Sequence, residues 1–214
     1  MKILQILEGF TNPPLGLVAE TLDLEIAAFP LEIVNWSEFP YKPEVSVQIA
    51  YNEDELFLRY QVNEQAVKAE ITESNGQVWT DSCVEFFLSP EGNDEYYNLE
   101  MNCIGTALLG FRKKGEPTVH ASEEQIATIR RISSLGDSPF PEQKEPTEWQ
   151  ITMAIPWEVF FKHQLKLEMG SKMRGNFYKC GDGLSVPHFV SWTKIRTEKP
   201  SFHNPEFFGG LEFE

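Results

Sequence analysis

The sequence predicts an all-β fold, an antiparallel β-sandwich with one short helix. Many short segments alternate apolar and polar residues, turn residues such as Gly, Pro, Asn and Asp separate them, and helical periodicity is rare. Alternation with a period of two places successive side chains on opposite faces of a strand. Many short strands with little helix indicate a sandwich. Because no repeat or linker divides the chain, we predict a single domain over residues 1–214.

The first half of the chain predicts an irregular lead-in followed by a β-hairpin. Residues 1–44 are rich in Pro and poorly periodic, so we expect them to pack on the sandwich without regular structure. Segments 45–51 and 56–63 alternate on either side of an acidic turn, as two paired strands would. In the second segment one set of side chains should face the core and the other should face outward: Leu56, Leu58, Tyr60 and Val62 inward, and Phe57, Arg59, Gln61 and Asn63 outward.

The most informative segment is 78–90, which reads as a strand with two different faces. One face would carry Val84, Phe86 and Leu88. The other would carry Trp79, Asp81, Cys83, Glu85 and Phe87. Burying two carboxylates without partners costs free energy, so this second face is predicted to be either solvated or built to hold a ligand.

The rest of the chain adds further strands and one helix. Alternating or β-rich segments predict strands at 97–102, 126–132, 149–155, 173–179 and 189–193, and residues 103–109 predict a bend and another short strand. Segment 156–163 begins with a proline, which suits a first helical position, and then has apolar residues at helical spacing. It is therefore the predicted short helix.

Composition excludes several classes of partner. Eighteen Lys and Arg face 33 Asp and Glu, a formal net charge of -15, which argues against nucleic acid because phosphate binding depends on clustered cations. No run is apolar and long enough to cross a membrane. The N-terminus lacks the pattern of a secretory signal, so the sequence as written predicts a cytoplasmic location. The three cysteines have no metal-type spacing and are expected to be buried free thiols.

Candidate catalytic and metal-binding groups are few. Asp81 and Glu85 could act as the two carboxylates of a glycoside hydrolase, although a surface or cation-binding role is the alternative in a chain with 33 acids. Histidine spacing, nucleophile-elbow and phosphate-loop motifs are absent. The acidic runs 53–55 and 93–95 offer oxygen ligands suited to calcium, or are simply solvated turns.

Three aromatic residues are candidates for ligand stacking. Sugars present flat arrays of C–H groups to aromatic rings, and their hydroxyls need fixed polar partners. Trp79 precedes polar strand residues and could form such a platform, or it could pack in the core as tryptophans usually do in sandwiches. Core packing is favoured for Trp192, which lies in an apolar segment, whereas Phe202 lies near the C-terminus among polar residues.

Four segments of the sequence, taken in order, resemble those of a known family. The segments 79–87, 98–102, 191–192 and 202–211 resemble, in order, the family 9 carbohydrate-binding modules, and the likeness is closest to their stand-alone bacterial relatives. The resemblance implies a carbohydrate-binding-module type of β-sandwich without catalytic activity, which in many relatives is attached to a xylanase. Such modules serve polysaccharide catabolism outside the cytoplasm, clamp the end of a glucan or xylan chain between two aromatics, and hold structural calcium.

The resemblance also assigns candidate ligand-binding residues. The two clamp positions fall on Trp79 and Phe202, and His203 follows directly. An asparagine of the family is kept as Asn102. Three positions depart from the family: Glu100 stands in place of an arginine, Asn63 in place of an aspartate, and Lys179 in place of a glutamine.

We therefore hypothesise a monomeric, non-enzymatic module that binds an oligo- or polysaccharide and requires no cofactor, with calcium as a structural ion. Trp79 and Phe202 would stack on the sugar. The remaining candidate ligand-binding residues are Asn102, Glu100, Asp81, Glu85, Asn63, Lys179 and His203. Two alternatives stay open: a glycoside hydrolase that uses Asp81 and Glu85, and a protein-interaction sandwich that has lost sugar binding.

Overall fold

The computed structural model describes residues 1–91 and 94–214. In these residues sixteen strands and two α-helices form. The strands are β1 (Lys2–Gln5), β2 (Phe29–Pro30), β3 (Ile33–Val34), β4 (Glu44–Tyr51), β5 (Glu55–Glu64), β6 (Val67–Ala69), β7 (Cys83–Ser89), β8 (Glu95–Asn102), β9 (Ala107–Lys113), β10 (Val119–His120), β11 (Arg130–Ser133), β12 (Phe140–Gln143), β13 (Thr147–Pro156), β14 (Lys172–Cys180), β15 (Phe189–Ser191) and β16 (Gly209–Phe213). The helices are α1 (Leu15–Glu25) and α2 (Glu123–Thr128).

Two antiparallel sheets are joined through one strand. The first sheet has the order β10-β9-β8-β7-β14-β16, with β15 and β3 attached beside β14. The second has the order β4-β5-β13-β11, with β2 attached to β4. Strand β1 pairs in parallel with both β16 and β4 and so connects the sheets. The mostly β architecture with antiparallel ladders confirms the predicted fold class.

The main core lies between the inner faces of the two sheets. The four inward residues predicted for the second hairpin strand, Leu56, Leu58, Tyr60 and Val62, belong to this core. From the other sheet Val84, Phe86 and Leu88 face them, as the alternation predicts. The Tyr60 hydroxyl donates a 2.7 Å hydrogen bond to the Glu85 carbonyl, so the sheets are held together by a polar contact as well as by apolar packing.

Helix α1 covers the outer face of the second sheet, which the sequence predicts to be open. Phe57 is fully buried in a cluster with Val18 and Leu22 of the helix. The Arg59 guanidinium donates to the Ala19 carbonyl at 2.9 Å and to the Asp23 carboxylate at 2.7 Å. The prediction of an irregular lead-in over residues 1–44 is therefore wrong, because this helix and the strands β1 to β3 occupy part of it. The predicted open face is covered at Phe57 and Arg59, whereas Gln61 and Asn63 are half-buried and line a groove.

Two further predictions of helix and strand need correction. Segment 156–163 forms only a 3₁₀ turn at Trp157–Val159, so the predicted helix is absent there. The strand predicted at 126–132 starts at Arg130 instead, because α2 occupies the preceding residues. Ser122 caps α2 and exchanges hydrogen bonds with Gln125. In the part of the chain that the structure describes, no helix is long and apolar enough to cross a membrane.

A buried polar network ties β5, β13 and β14 together. The Lys179 ammonium lies 2.9 Å from Glu64 Oε2, and both side chains are fully buried. Lys179 also lies 2.8 Å from the Cys180 carbonyl and 2.8 Å from His188 Nε2. Trp149 Nε1 donates to Glu64 Oε1 at 2.7 Å. Burial, together with the nearby Lys179 charge, lowers the pKa of His188 to about 2, so His188 is neutral and can accept from the ammonium.

We expect Lys179→Met to destabilise the protein by about 3 kcal/mol, because it leaves the Glu64 carboxylate buried without a counter-charge. The measurement is the free energy of unfolding in urea. Lys172→Met is the matched control, since its partner Glu212 is at the surface and 3.6 Å away, and it should change stability little. Adding Glu64→Gln to Lys179→Met should recover part of the loss. Equal effects of the two lysine substitutions would contradict the prediction.

Candidate functional site

The outer face of the first sheet holds a second, smaller cluster of buried residues. Cys83, Glu85 and Phe87 of β7 point to this face, as the alternation predicts. Trp79 and Asp81 do not belong to the strand. Trp79 lies in a 3₁₀ turn at Val78–Thr80, and the strand begins only at Cys83.

Two loops cover the small cluster, and the second of them also lines a cleft. Residues 35–43 contribute Trp36, whose Nε1 donates to the Thr197 carbonyl at 2.9 Å. Residues 195–208 contribute Phe202, whose ring stacks on Tyr178 of β14 with centroids 4.1 Å apart and an interplanar angle of 10°. Only 7% of Phe202 is exposed, so it serves the cluster and the cleft at once.

The cleft between the second loop and the sheet has a volume of about 250 Å³. Among the residues that the structure describes, those that line the cleft are Trp79, Glu85, Glu100, Arg112, Cys180, Asp182, Phe189, Pro200, Ser201, Phe202 and His203. The structure thus brings together five of the nine candidate residues, namely Trp79, Glu85, Glu100, Phe202 and His203.

The aromatic groups of the cleft differ in their freedom to meet a ligand. Trp79 is half-buried, and no aromatic ring among the described residues stacks on its indole. Its carbonyl accepts a 3.0 Å hydrogen bond from the Asp182 amide, which fixes the turn to the loop after β14. The exposed His203 stacks on Phe87 at 5.1 Å and lies 3.2 Å from the Tyr96 hydroxyl through Nδ1. Trp79 is therefore the ring best placed to stack on a ligand.

The floor of the cleft carries carboxyl groups from adjacent strands. Glu85 and Glu100 are directly opposite in the β7–β8 ladder, and both are nearly fully buried. Asn98 donates to Glu100 Oε1 at 2.8 Å and accepts from Arg112 Nε at 3.2 Å, so it links the acid to the only cation that lines the described cleft. Gly110 makes room for Asn98, because a Cβ there would lie 2.6 Å from the amide oxygen.

Burial sets the protonation of these acids. It raises the pKa of Glu100 to about 7, although the Asn98 hydrogen bond and the Arg112 charge act in the opposite direction. Burial, together with the Glu100 charge, raises the pKa of Glu85 well above its usual range. At pH 7 Glu100 is therefore about half protonated, and the raised pKa of Glu85 favours its neutral form, so the cleft can offer hydroxyl donors as well as carboxylate acceptors to a ligand.

Four candidate residues lie outside the cleft. Asp81 is fully buried, and its Oδ2 accepts hydrogen bonds from the amides of Glu70 and Ile71 and from Asn102. Asn102 also donates to the Ile71 carbonyl at 2.9 Å, so these two residues fasten the loop before the Trp79 turn. They shape the site and do not line it.

Lys179 and Asn63 are also placed elsewhere. Lys179 points into the main core from the face of β14 opposite the cleft. Asn63 lines a larger groove of about 650 Å³ along β4, β5 and β13. Among the described residues that line this groove, the aromatic ring is Trp149, which is 3% exposed and bonded to Glu64. The larger groove therefore lacks an accessible ring on which a sugar could stack.

Several cleft residues were not among the candidates. Arg112 of β9 and Phe189 of β15 line the cleft, together with Asp182 and Ser201, which lie in loops whose path the sequence pattern does not predict. One sequence feature could have identified Arg112: it lies two and four residues after Gly110 and Leu108 along β9, so all three side-chain positions share the outer face.

The acidic runs proposed to bind calcium already have other partners. Glu55 accepts from Arg130 at 2.7 Å and 3.3 Å, and Glu53 accepts from Gln5 at 2.9 Å. In the second run Glu95 lies 3.1 Å from His163, while position 93 lies outside the described residues. Calcium binding stays a prediction.

Comparison with known proteins identifies the relationship. The model of carbohydrate-binding family 9 matches residues 17–213. The chain belongs to carbohydrate-binding family 9. A crystal structure from Bacteroides uniformis, of a protein to which carbohydrate binding is provisionally assigned, is 44% identical over 100% of this chain and 98% of its own, with a TM-score of 0.96. No curated protein sequence matches.

Two more distant solved structures share the fold. Both are of a family 9 carbohydrate-binding module from Caldicellulosiruptor kristjanssonii at 11% identity, one in complex with cellotriose and one with glucose. They cover 100% of this chain and 94% and 96% of their own, with TM-scores of 0.64 and 0.63. The family 9 sandwich is therefore kept where little sequence identity remains.

The raised pKa of Glu100 predicts that stability falls as pH rises. The unfolded glutamate loses its proton near pH 4.5 and the folded one near pH 7, so folding becomes less favourable between these values. Glu100→Gln should gain roughly 2 kcal/mol over wild type between about pH 5 and pH 8, measured by urea unfolding. Glu145→Gln, at an exposed position, should keep a constant difference. A constant difference for Glu100→Gln too would refute the assignment.

Proposed function

We propose that this family 9 protein binds the end of a glucan or xylan-type oligosaccharide without catalysis, in polysaccharide catabolism. The observation that carries the proposal is the small cleft in which the unstacked indole of Trp79 lies near a buried carboxyl floor. The bound cellotriose and glucose of the two Caldicellulosiruptor modules support a glucan-type ligand. Family membership supports carbohydrate as the ligand class.

The chemistry of the cleft fits a neutral sugar. The Trp79 ring can cover the C–H face of a pyranose, and Phe202 and His203 line the same cleft. Glu85 and Glu100 can exchange hydrogen bonds with hydroxyls on the floor, and Arg112 can donate to a ring or hydroxyl oxygen. The small volume favours a chain end over an internal segment.

The arrangement does not support a glycoside hydrolase that uses Asp81 and Glu85. Hydrolysis requires both carboxyl groups to flank one bond of the substrate. Glu85 lines the cleft, whereas Asp81 is fully buried and bonded to backbone amides of the Glu70–Ile71 segment. Incubation with cellotriose should therefore release no shorter sugar, as chromatography would show. Product that disappears in Glu85→Gln would refute the non-catalytic assignment.

Calorimetric titration with cellotriose and xylotriose tests the proposal directly. Trp79→Ala should weaken binding by about tenfold or more, because a central aromatic anchor contributes roughly 2 kcal/mol. Phe10→Ala is the control, since Phe10 is an exposed aromatic that does not line the cleft. The absence of binding to wild type, or equal affinity of the two variants, would overturn the proposal and favour a protein-interaction role.

Tryptophan fluorescence locates the ligand. Trp79 and Trp192 are the two half-buried tryptophans, and Trp192 packs instead against Phe29 and Phe177 of the main core. A sugar-induced change in emission should vanish in Trp79→Phe, which can still stack on the sugar, and persist in Trp192→Phe. The reverse pattern would place the ligand away from the cleft.

A further inference from the structure

Two thiols and a carboxyl group converge beneath the cleft. Cys83 and Cys180 are directly opposite each other in the β7–β14 ladder, so their side chains emerge on the same face. The ligand atoms of Cys83, Glu85 and Cys180 all lie within 4.8 Å of one another. All three residues are buried, with exposures of 0%, 4% and 1%.

The Glu85 carboxyl group has little protein compensation. Among the described residues its side chain accepts one hydrogen bond, from the Cys180 thiol at 3.0 Å. The Lys179 ammonium emerges from the opposite face of β14 and is engaged by Glu64. A buried carboxyl group held by only a weak S–H donor is costly unless a further group compensates it.

We propose that Cys83, Cys180 and Glu85 form a binding site for a thiophilic divalent cation of the zinc type. Two thiolates and one carboxylate are a ligand set that zinc accepts, and three protein ligands leave a fourth position open. Cys180 and Glu85 line the cleft, so the fourth position faces it and can take water or a ligand hydroxyl.

Loading is a proton exchange and requires no oxidant. The cation forms bonds to two sulfurs and one carboxylate oxygen, and the two thiol protons, with that of Glu85 where it is protonated, leave to solvent. Glu100 and Asp182 lie near the same face, and in their ionised forms they add negative potential that favours the cation. The site shares Glu85 with the proposed sugar-binding cleft, but neither proposal requires the other.

The chain provides a matched control within its own sequence. Cys103 is the third buried cysteine, but its thiol lies 3.5 Å from the Lys68 carbonyl and it packs in the main core. Cys103→Ser therefore removes a buried thiol without touching the cluster. Cys83→Ser, Cys180→Ser and Glu85→Gln each remove one proposed ligand.

Cadmium titration of the reduced, chelator-treated full chain tests the site. Wild type and Cys103→Ser should gain the ultraviolet charge-transfer band of cadmium–thiolate bonds with one ion per chain, and zinc should abolish the band by competition. Cys83→Ser and Cys180→Ser should lose about half of the band or all of it, and Glu85→Gln should bind cadmium at least about tenfold more weakly. Circular dichroism of each apo variant confirms folding.

Three results of the titration would overturn the proposal. They are a missing band in wild type, a band that survives in both Cys83→Ser and Cys180→Ser, and a band lost in Cys103→Ser. A Cys83–Cys180 disulfide that persists under the reducing conditions, detected by mass, would also overturn it. Cellotriose calorimetry on apo wild type keeps the two proposals apart, because sugar binding without cadmium binding refutes only the metal site, and the converse refutes only sugar binding.

Discussion

The structure depends on one constraint: both faces of the β7–β14 pair are buried. One face packs against the second sheet through Phe86 and Phe177. The other lies under the two loops and carries Phe87 and Tyr178. A pair of strands buried on both sides cannot leave ionisable groups to solvent, so each must find a partner inside the protein. On the inner face Lys179 and Glu64 pair with each other. On the outer face the Glu85 side chain accepts, among the described residues, only one hydrogen bond, from the Cys180 thiol.

This difference explains why the sheet and the loops contribute different groups to the site. The sheet holds the polar groups of the floor in a fixed register, because Glu85, Glu100 and Cys180 occupy neighbouring ladder positions. Loops supply the aromatic walls, and Asp81 with Asn102 fastens the loop that leads to Trp79. A rigid floor with loop-borne walls is a common design for ligand sites on β-scaffolds.

The alternation of apolar and polar residues predicted the face of a strand on which each side chain lies, because neighbouring residues in the sequence determine that face. It placed Val84, Phe86 and Leu88 in the core, and Glu85 on the opposite face. It failed where the chain leaves the strand, since a 3₁₀ turn carries Trp79. Family resemblance identified the distant Phe202, which the structure places in the cleft, whereas Lys179 and Asn63 lie outside it. Their orientation depends on the tertiary packing of β14 and β5, which no local pattern encodes.

Helix α1 was also not predicted from the sequence, and the reason is physical. It lacks a side-chain N-cap, and only Val18, Thr21 and Leu22 are buried, so it carries neither the start signal nor the broad apolar stripe of an ordinary surface helix. Its stability comes from contacts such as the Arg59 bonds that form only in the folded state.

The stack of Phe202 on Tyr178 limits how the site can evolve. The same ring closes the small cluster and lines the cleft, so a substitution that reshapes this wall for another ligand also weakens the folding of the loop. Trp79, Ser201 and His203 are more exposed than Phe202, so packing constrains them less. Divergence in ligand preference among relatives is therefore expected to concentrate at these three positions, while the Phe202 wall changes only together with Tyr178 or Trp36.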